Sequence, residues 1–271
     1  MNYSVLMSVY YKEKPEYLRQ SMDSIFAQSI PTDDFVLVCD GPLNDELDNV
    51  IDEMVAAYSD VLKVVRLEKN VGLGNALNQG IQHCKNDLVA RMDSDDIARP
   101  DRCARQLTVF EEQPEIGMVS GIVEEFLTDP SVIDARRVPP ETQEEILKFA
   151  KTRNPFNHPC IMYRKEQVEK AGGYQEIFLL EDYYLWMRML LNGTIGYNLQ
   201  EPLLWMRAGS GMYKRRGGKR YIKAQIDLFC WMRKEGFISN WQCAKSCLIR
   251  SCSAISPNWM RKLMFAWKLR E

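Results

Sequence analysis

The sequence predicts an α/β protein with a doubly wound, mostly parallel central sheet and helices on both faces. Three observations carry this reading. Short, almost wholly apolar runs recur through the first third of the 271-residue chain, as expected of strands covered on both faces. Between them lie segments with apolar residues at helical spacing. The two kinds alternate, and strands joined by helical crossovers pack in parallel.

Ser4–Tyr10 is the first strand, and Pro15–Gln28 follows as a helix with Leu18, Met22, Ile25 and Phe26 at helical spacing and Pro15 in its first turn. Phe35–Cys39 is the second strand, ending at Asp40-Gly41; Leu43–Tyr58 is an amphipathic helix, and Leu62–Leu67 is the third strand. Gly72–Cys84 reads as a Gly- and Ala-rich helix, and Leu88–Met92 as the fourth strand. In such a sheet ligands bind beyond the carboxyl ends of the strands, where Ser8, Tyr10, Asp40, Asn70, Asp93 and Asp95 fall. The later chain is less regular. It predicts helices over Pro100–Gln113, Pro139–Ala150, Lys165–Ala171 and Glu181–Leu191, and strands over Gly117–Val123 and Cys160–Tyr163. From Gly209 a basic loop leads into helices over 220–235, 239–253 and 257–270.

Hydrophobic content is 46 %, and no run reaches the roughly 18–20 apolar residues that a membrane span needs. The N-terminus lacks the basic region and long apolar core of an export signal, so the first strand is expected there. Eight cysteines are scattered without zinc-type spacing, which suits reduced thiols in the cytoplasm. The formal charge of −2 hides an asymmetry: residues 205–271 hold fifteen Lys and Arg against Asp227, Glu235 and Glu271, a net of +12, which leaves −14 on the remainder. A basic tail on an acidic body calls for an anionic partner, with membrane phosphates, nucleic acid or a ligand diphosphate as the candidates.

The chemistry concentrates where the fourth strand ends. Leu88-Val-Ala-Arg-Met-Asp-Ser-Asp-Asp96 delivers three carboxylates, and alternation in an extended chain lets Asp93 and Asp95 share a face. A hard divalent cation takes such oxygens together with substrate phosphates, although a solvated acidic turn has the same composition. Asp40-Gly41 suits either a tight turn or a contact to a ribose or base edge. Asn70-x-Gly72-x-Gly74-x-Ala76-x-Asn78 opens a helix with small residues, which favours close packing or a phosphate at the helix N-terminus. Glu181-Asp182 offers a second carboxylate site, or simply an acidic first turn favoured by the helix dipole. His158 is one of only two histidines and a candidate for the site.

Taken in order, Ser8-Val-Tyr10, Ser24-Ile-x-x-Gln28, Asp40-Gly41, Asn70-x-Gly72-x-x-x-Ala76-x-Asn78, Asp93-x-Asp95-Asp96 with Arg99-Pro100, Gly172-Gly173-Tyr174 and Glu181-Asp182-Tyr-x-Leu-Trp186 resemble the family 2 glycosyltransferases. The tail Gly211–Gly218 looks like the subgroup that builds bacterial O-antigens and amylovoran-type exopolysaccharides. The resemblance implies a GT-A fold, with a Rossmann-like sheet, over residues 1–208. Residues 1–99 would be the nucleotide-binding half, 100–208 the acceptor half and 209–271 a basic helical extension. Ser8, Tyr10, Asp40, Asn70 and Gly72 would hold the nucleotide-sugar, expected to be a UDP-sugar, and Asp93 and Asp95 would hold manganese or magnesium on its diphosphate. Asp182, with Glu181 beside it, would be the base of a single inverting displacement, and His158 and Trp186 would lie on the acceptor side. Many relatives carry a His shortly after the Arg that matches Arg207; Ala208 and Gly209 follow here, which leaves Arg215 or Arg216 for the diphosphate. The Gln-x-x-Arg-Trp motif of processive members is missing, so one sugar per encounter is expected. The implied acceptor is an undecaprenyl-diphosphate-linked sugar at the inner face of the cell membrane, with peripheral contact to anionic lipid and no nucleic acid as partner. The helix over 257–270 would lie in the membrane interface or pack on the core. The rival expectations are a sugar-phosphate nucleotidyltransferase, against which the missing N-terminal Gly-rich signature speaks, and a non-catalytic adaptor of the same fold.

Overall fold

The computed structural model describes residues 1–209 and 217–256. Nine strands form one sheet: β1 (Tyr3–Val9), β2 (Asp34–Cys39), β3 (Leu62–Arg66), β4 (Leu88–Asp93), β5 (Ile97–Ala98), β6 (Ile116–Phe126), β7 (Ala135–Arg137), β8 (Met162–Arg164) and β9 (Ile195–Arg207). Their spatial order is β3-β2-β1-β4-β8-β6-β9-β5, with β7 added beside β6. The expected parallel pairing holds from β3 to β4. Beyond β4 the sheet is mixed, because β8 returns antiparallel to both β4 and β6. That reversal positions the site: the chain enters β8 at the edge where β4 ends, so a 3-10 turn, His158–Cys160, comes to lie beside Asp93.

The period of two along the strands divides the core between the two faces. Val5, Met7, Leu37 and Ala90 pack against α1 (Pro15–Phe26), α2 (Asp45–Ala57) and α4 (Arg102–Glu112). Leu6, Val36, Val38 and Val89 pack against α3 (Leu73–Ile81) and form one apolar cluster with α5 (Gln143–Ala150), α6 (Lys165–Lys170) and α7 (Glu181–Leu191). The same cluster takes in α8 (Lys219–Lys234) and α9 (Asn240–Ile255) through Leu228, Phe229, Met232, Cys243 and Ala254, so both helices pack on the core. The helix expected over 257–270 lies outside the described residues. Between α8 and α9 the thiol of Cys230 converges with those of Cys243 and Cys247, one turn apart on α9, to within 4.8 Å of one another. The cysteines of the described residues are free, and burial pushes the Cys247 thiol up to about 12.

Strand β9 escapes the sequence reading because Pro202 interrupts it. The ladder with β6 steps from Gly121↔Leu199 to Ile122↔Pro202, so Gln200 and Glu201 bulge out, and a proline is tolerated at such a break. β5 and β7 are too short to leave a periodic signal.

Gly41, at φ +85°, turns the chain after β2, and a Cβ there would sit 2.5 Å from the Asn70 amide nitrogen and 2.9 Å from the Lys69 carbonyl carbon. Both neighbours are backbone, so neither can swing aside. Gly41→Ala should therefore destabilise the fold by about 2–4 kcal/mol, from left-handed strain plus overpacking, in a urea titration followed by circular dichroism.

Candidate active site

A cleft of about 1670 Å³ lies across the carboxyl ends of β1, β2 and β4 and extends to α9. Ser8, Tyr10, Asp40, Asn70, Gly72, Asp93, Asp95, His158, Glu181 and Asp182 all line it. Arg215 and Arg216 lie outside the described residues. Trp186 departs from expectation: it has no exposed surface and stands at the centre of a ring cluster with Phe156, His158, Tyr163 and Tyr174. It supports the cleft floor and offers no surface to an acceptor.

Asp93, Asp95 and Asp96 each present a carboxylate oxygen within 4.8 Å of the others. Several side chains from elsewhere hold this acidic turn. Ser21 on α1 donates to the Asp93 carbonyl at 2.7 Å, and Gln28 donates to the Arg99 carbonyl at 2.7 Å while accepting from the Cys103 amide. Ser24 accepts from the Ala98 amide, which explains the Ser24…Gln28 motif as a clamp on the chain that follows the aspartates. Arg207, from the end of β9, donates its amide to Asp96 Oδ1 at 2.9 Å and its Nε to the Asp95 carbonyl at 3.1 Å. Its guanidinium stacks 3.8 Å from the Tyr17 ring centroid. Asp96 Oδ2 is buried without a partner. Burial, with the charge of Asp93 added, pushes the Asp95 carboxyl up to about 7, and Asp96 is driven well above the usual carboxylate range by burial and by Asp95. Three crowded carboxylates, one with an orphaned buried oxygen, are a donor set that fits a hard divalent cation.

Beneath the cleft lies Arg91, which the sequence reading passed over. It is 1 % exposed, and its Nη2 bonds Asp93 Oδ1 at 2.5 Å, while Nε and Nη1 have no partner. Asp93, Tyr174 and Asp96 all stabilise its charge, and its field reaches Glu181 on the far side of the cleft. The signal was visible as one charge in an apolar strand, two residues before Asp93 and on the same face. Burial and the charge of Arg91 hold the His158 imidazole well below its usual range, so it is neutral at pH 7. His158 Nε2 meets the Tyr174 hydroxyl at 3.1 Å.

The second carboxylate pair opens α7, just after Leu179, whose φ of +60° is unusual for a side chain of its size. Asp182 accepts from Asn154 Nδ2 and from the Tyr183 amide, both at 2.7 Å. Burial, with Asp182 adding to it, pushes Glu181 up to about 7. Asn78 on α3 fixes the loop ahead of α7 by accepting from the Tyr174 amide and donating to the Tyr174 carbonyl, both at 2.7 Å. Gly173, at φ +64°, leaves room for that amide, since a Cβ would sit 2.6 Å from Asn78 Oδ1. The Asn78 and Gly-Gly-Tyr motifs are thus two halves of one brace.

Asp40 differs from expectation in what its carboxylate does. It is 3 % exposed, with Oδ1 accepting from the Val71 amide at 2.7 Å and Oδ2 from the Gly72 amide at 3.1 Å. The anion at the entrance to α3 is therefore Asp40 itself, which holds the 70–72 loop against the end of β2, and Asn70 donates back to the Asp40 carbonyl.

A parallel half-sheet whose strand ends face two carboxylate groups across a cleft has the layout of a nucleotide-sugar-dependent transferase. Residues 4–172 match the model of glycosyl transferase family 2. The chain is 40 % identical to the amylovoran biosynthesis glycosyltransferase AmsE of Erwinia amylovora, over 87 % of this chain and 88 % of that one. It is 39 % identical to the UDP-Gal:alpha-D-GlcNAc-diphosphoundecaprenol beta-1,3-galactosyltransferase of Escherichia coli, over 84 % and 83 %. Among solved structures, the mannosyltransferase PcManGT of Pyrobaculum calidifontis, in complex with GDP-Man and Mn2+, superposes with a TM-score of 0.66 at 17 % identity, covering 98 % of this chain and 79 % of that one. That likeness shows the GT-A fold. The chain belongs to glycosyltransferase family 2, in its exopolysaccharide and O-antigen branch, and is a glycosyltransferase.

Two outcomes follow from the geometry. Arg91→Met leaves Asp93 without its counter-charge and should destabilise the protein by about 2–4 kcal/mol in chemical denaturation; that is less than for a fully buried pair, because Asp93 is 33 % exposed. The second concerns pH. Asp95 and Glu181 hold their protons more tightly folded than unfolded, so their contribution to stability is full below the usual carboxylate range and is lost as pH rises through about 7. The Tm of metal-free protein, read by calorimetry, should therefore drop between about pH 5 and about pH 8, and drop less in Asp95→Asn.

Proposed function

We propose that this enzyme transfers one hexose or hexosamine from a UDP-sugar to a sugar carried on undecaprenyl diphosphate, with inversion at the anomeric carbon, during synthesis of a bacterial surface polysaccharide. The observation that carries the reading is the pairing, within one cleft, of an acidic turn at the end of β4 with the Glu181-Asp182 pair at the start of α7. The E. coli relative supports the donor and acceptor classes, since its name gives UDP-galactose and a diphosphoundecaprenol-linked sugar.

The nucleoside would lie along Ser8, Tyr10 and the 70–72 loop that Asp40 holds in place. Asp93 and Asp95 would hold manganese or magnesium, with Asp96 Oδ2 as a further oxygen within reach of the cluster. Bound there, the cation supplies charge neutralisation for the departing diphosphate. Asp182 takes the proton of the acceptor hydroxyl as that oxygen bonds to the anomeric carbon; the bond to the diphosphate breaks on the opposite face, and UDP leaves. Asn154 fixes the orientation of the carboxylate. Glu181 stands beside it, its carboxyl pushed up to about 7 by burial and by Asp182. His158, neutral and tied to Tyr174, would line the acceptor side. Among the described residues no helix is long and apolar enough to cross a membrane, so contact with the inner face of the cell membrane would be peripheral.

Asp182→Asn keeps the size and most hydrogen bonds of the side chain, and should slow transfer by about 10²–10⁴-fold with little change in donor affinity. A collapse of donor binding with normal turnover of bound donor would make Asp182 a binding residue instead. Asp95→Ala should nearly abolish transfer, and excess chelator should do the same to the wild type. Incubation with UDP-sugars, manganese and a synthetic lipid-diphosphate-sugar, followed by mass and anomeric analysis, tests the whole scheme. A product that retains the donor's configuration would refute the single displacement.

A further inference from the structure

The cleft extends past both carboxylate groups to α9, whose Gln242, Lys245, Ser246, Ile249, Arg250 and Ser253 form its far wall. Arg153 joins them from the segment after α5, one residue before the Asn154 that holds Asp182. Arg250 Nη2 is anchored on the Thr152 carbonyl at 2.5 Å, which brings its charge close enough to Arg153 to disfavour the protonated form there, after the larger effect of burial. Among the described residues neither Arg250 nor Lys245 pairs with a carboxylate. Two such cations at one wall of a cleft are matched by an anionic ligand.

The same helix carries a second feature. Trp241, Leu248 and Ile255 recur at seven-residue intervals and are 73 %, 67 % and 74 % exposed. With about 100° between successive residues, they form one stripe along the outside of α9. Lys245 and Ile249 fall between this stripe and the cleft, while Cys243, Cys247 and Ala254 turn towards the core. A row of indole and aliphatic side chains with a lysine beside it suits a helix at a lipid interface. The stripe meets the basic wall at a rim marked by Lys245, while Arg250, about 180° around the helix from Trp241, lies on the cleft side.

We propose that α9 is the acceptor-docking helix: the Trp241–Leu248–Ile255 stripe rests in lipid, and Lys245 and Arg250, with Arg153, take the diphosphate of a lipid-linked sugar entering over that rim. The assignment rests on the function proposed above and adds to it the side from which the acceptor arrives. The sugar then extends from the basic wall towards Asp182, which accepts a hydrogen bond from Asn154, the chain neighbour of Arg153.

The test compares two acceptors with the full-length protein in detergent: one sugar on a long-chain alkyl diphosphate, and the same sugar as the neutral alkyl glycoside. Lys245→Ala alters an exposed residue, and Lys245→Ala/Arg250→Ala removes both charges. The double variant should raise KM for the diphosphate acceptor by about 10- to 100-fold and largely erase the preference for it over the neutral one, with the single variant in between. An unchanged preference, or equal loss on both acceptors, would overturn the diphosphate assignment. In parallel, Trp241→Ser/Leu248→Ser should weaken co-sedimentation with phosphatidylcholine–phosphatidylglycerol vesicles, and should slow transfer to an acceptor embedded in them more than transfer to a short-chain soluble one. Undiminished vesicle binding would overturn the lipid-facing role of the stripe. A wild-type protein that hydrolyses UDP-sugar yet glycosylates neither acceptor would overturn the proposed function and the docking role with it.

Discussion

The site is organised around one buried guanidinium. Taking an ion such as Arg91 out of water costs several kcal/mol after relaxation, and a single bond to Asp93 is poor compensation. The remainder comes from the field of the carboxylates around it: Asp93 and Asp96 on one side, Glu181 on the other. The dependence runs both ways. Without a positive charge beneath them, the three carboxyl groups of the acidic turn could not be brought so close at a tolerable cost. Burial, helped by the same charge, keeps His158 neutral, so the imidazole can hydrogen-bond to Tyr174 without adding a second cation to the floor. The ionic state of the cleft is therefore largely set by the protein before any ligand arrives.

Around this centre, most of the polar side chains serve the backbone. Ser21, Ser24 and Gln28 from α1 and Arg207 from β9 fasten the acidic turn from two sides. Asp40 ties the entrance of α3 to the end of β2, and Asn78 ties α3 to the loop that leads to α7. Each brace joins elements distant in sequence, so the two carboxylate groups are held by a closed set of contacts and not by their own loops. Motif residues with no evident chemistry of their own thus acquire a reason to be there.

The parallel half of the fold was legible because its strands are buried on both faces and its helices carry a clear periodicity. The limits of α7, from Glu181 to Leu191, were read to the residue. What escaped did so for physical reasons. Pro202 and the two-residue bulge before it hide β9, and the antiparallel return of β8 depends on pairing partners that periodicity does not encode. Within the site, the carboxylates were legible as residue types at strand ends. Their supports were not: Asn154 and Arg207 reach them only after the chain has folded back, and Arg91 looked like one odd letter in an apolar run. Trp186 was misjudged because an aromatic ring in a motif reads equally well as a ligand contact or as the floor beneath one, and three-dimensional packing decides for the floor.

The attachment of α8 and α9 differs in kind from the rest. They touch the sheet domain through side-chain packing and single bonds, such as Arg250 on the Thr152 carbonyl, and contribute no strand to the sheet. The acidic turn is therefore woven into the hydrogen-bonded ladder at the end of β4, whereas this wall of the cleft is laid against it. Changes confined to such an appended hairpin leave strand register untouched, so mutation can explore new partners on that wall while the inherited chemistry stays in place. A lineage that diversifies its surface sugars has, in this arrangement, a part of the enzyme free to drift and a part that is not.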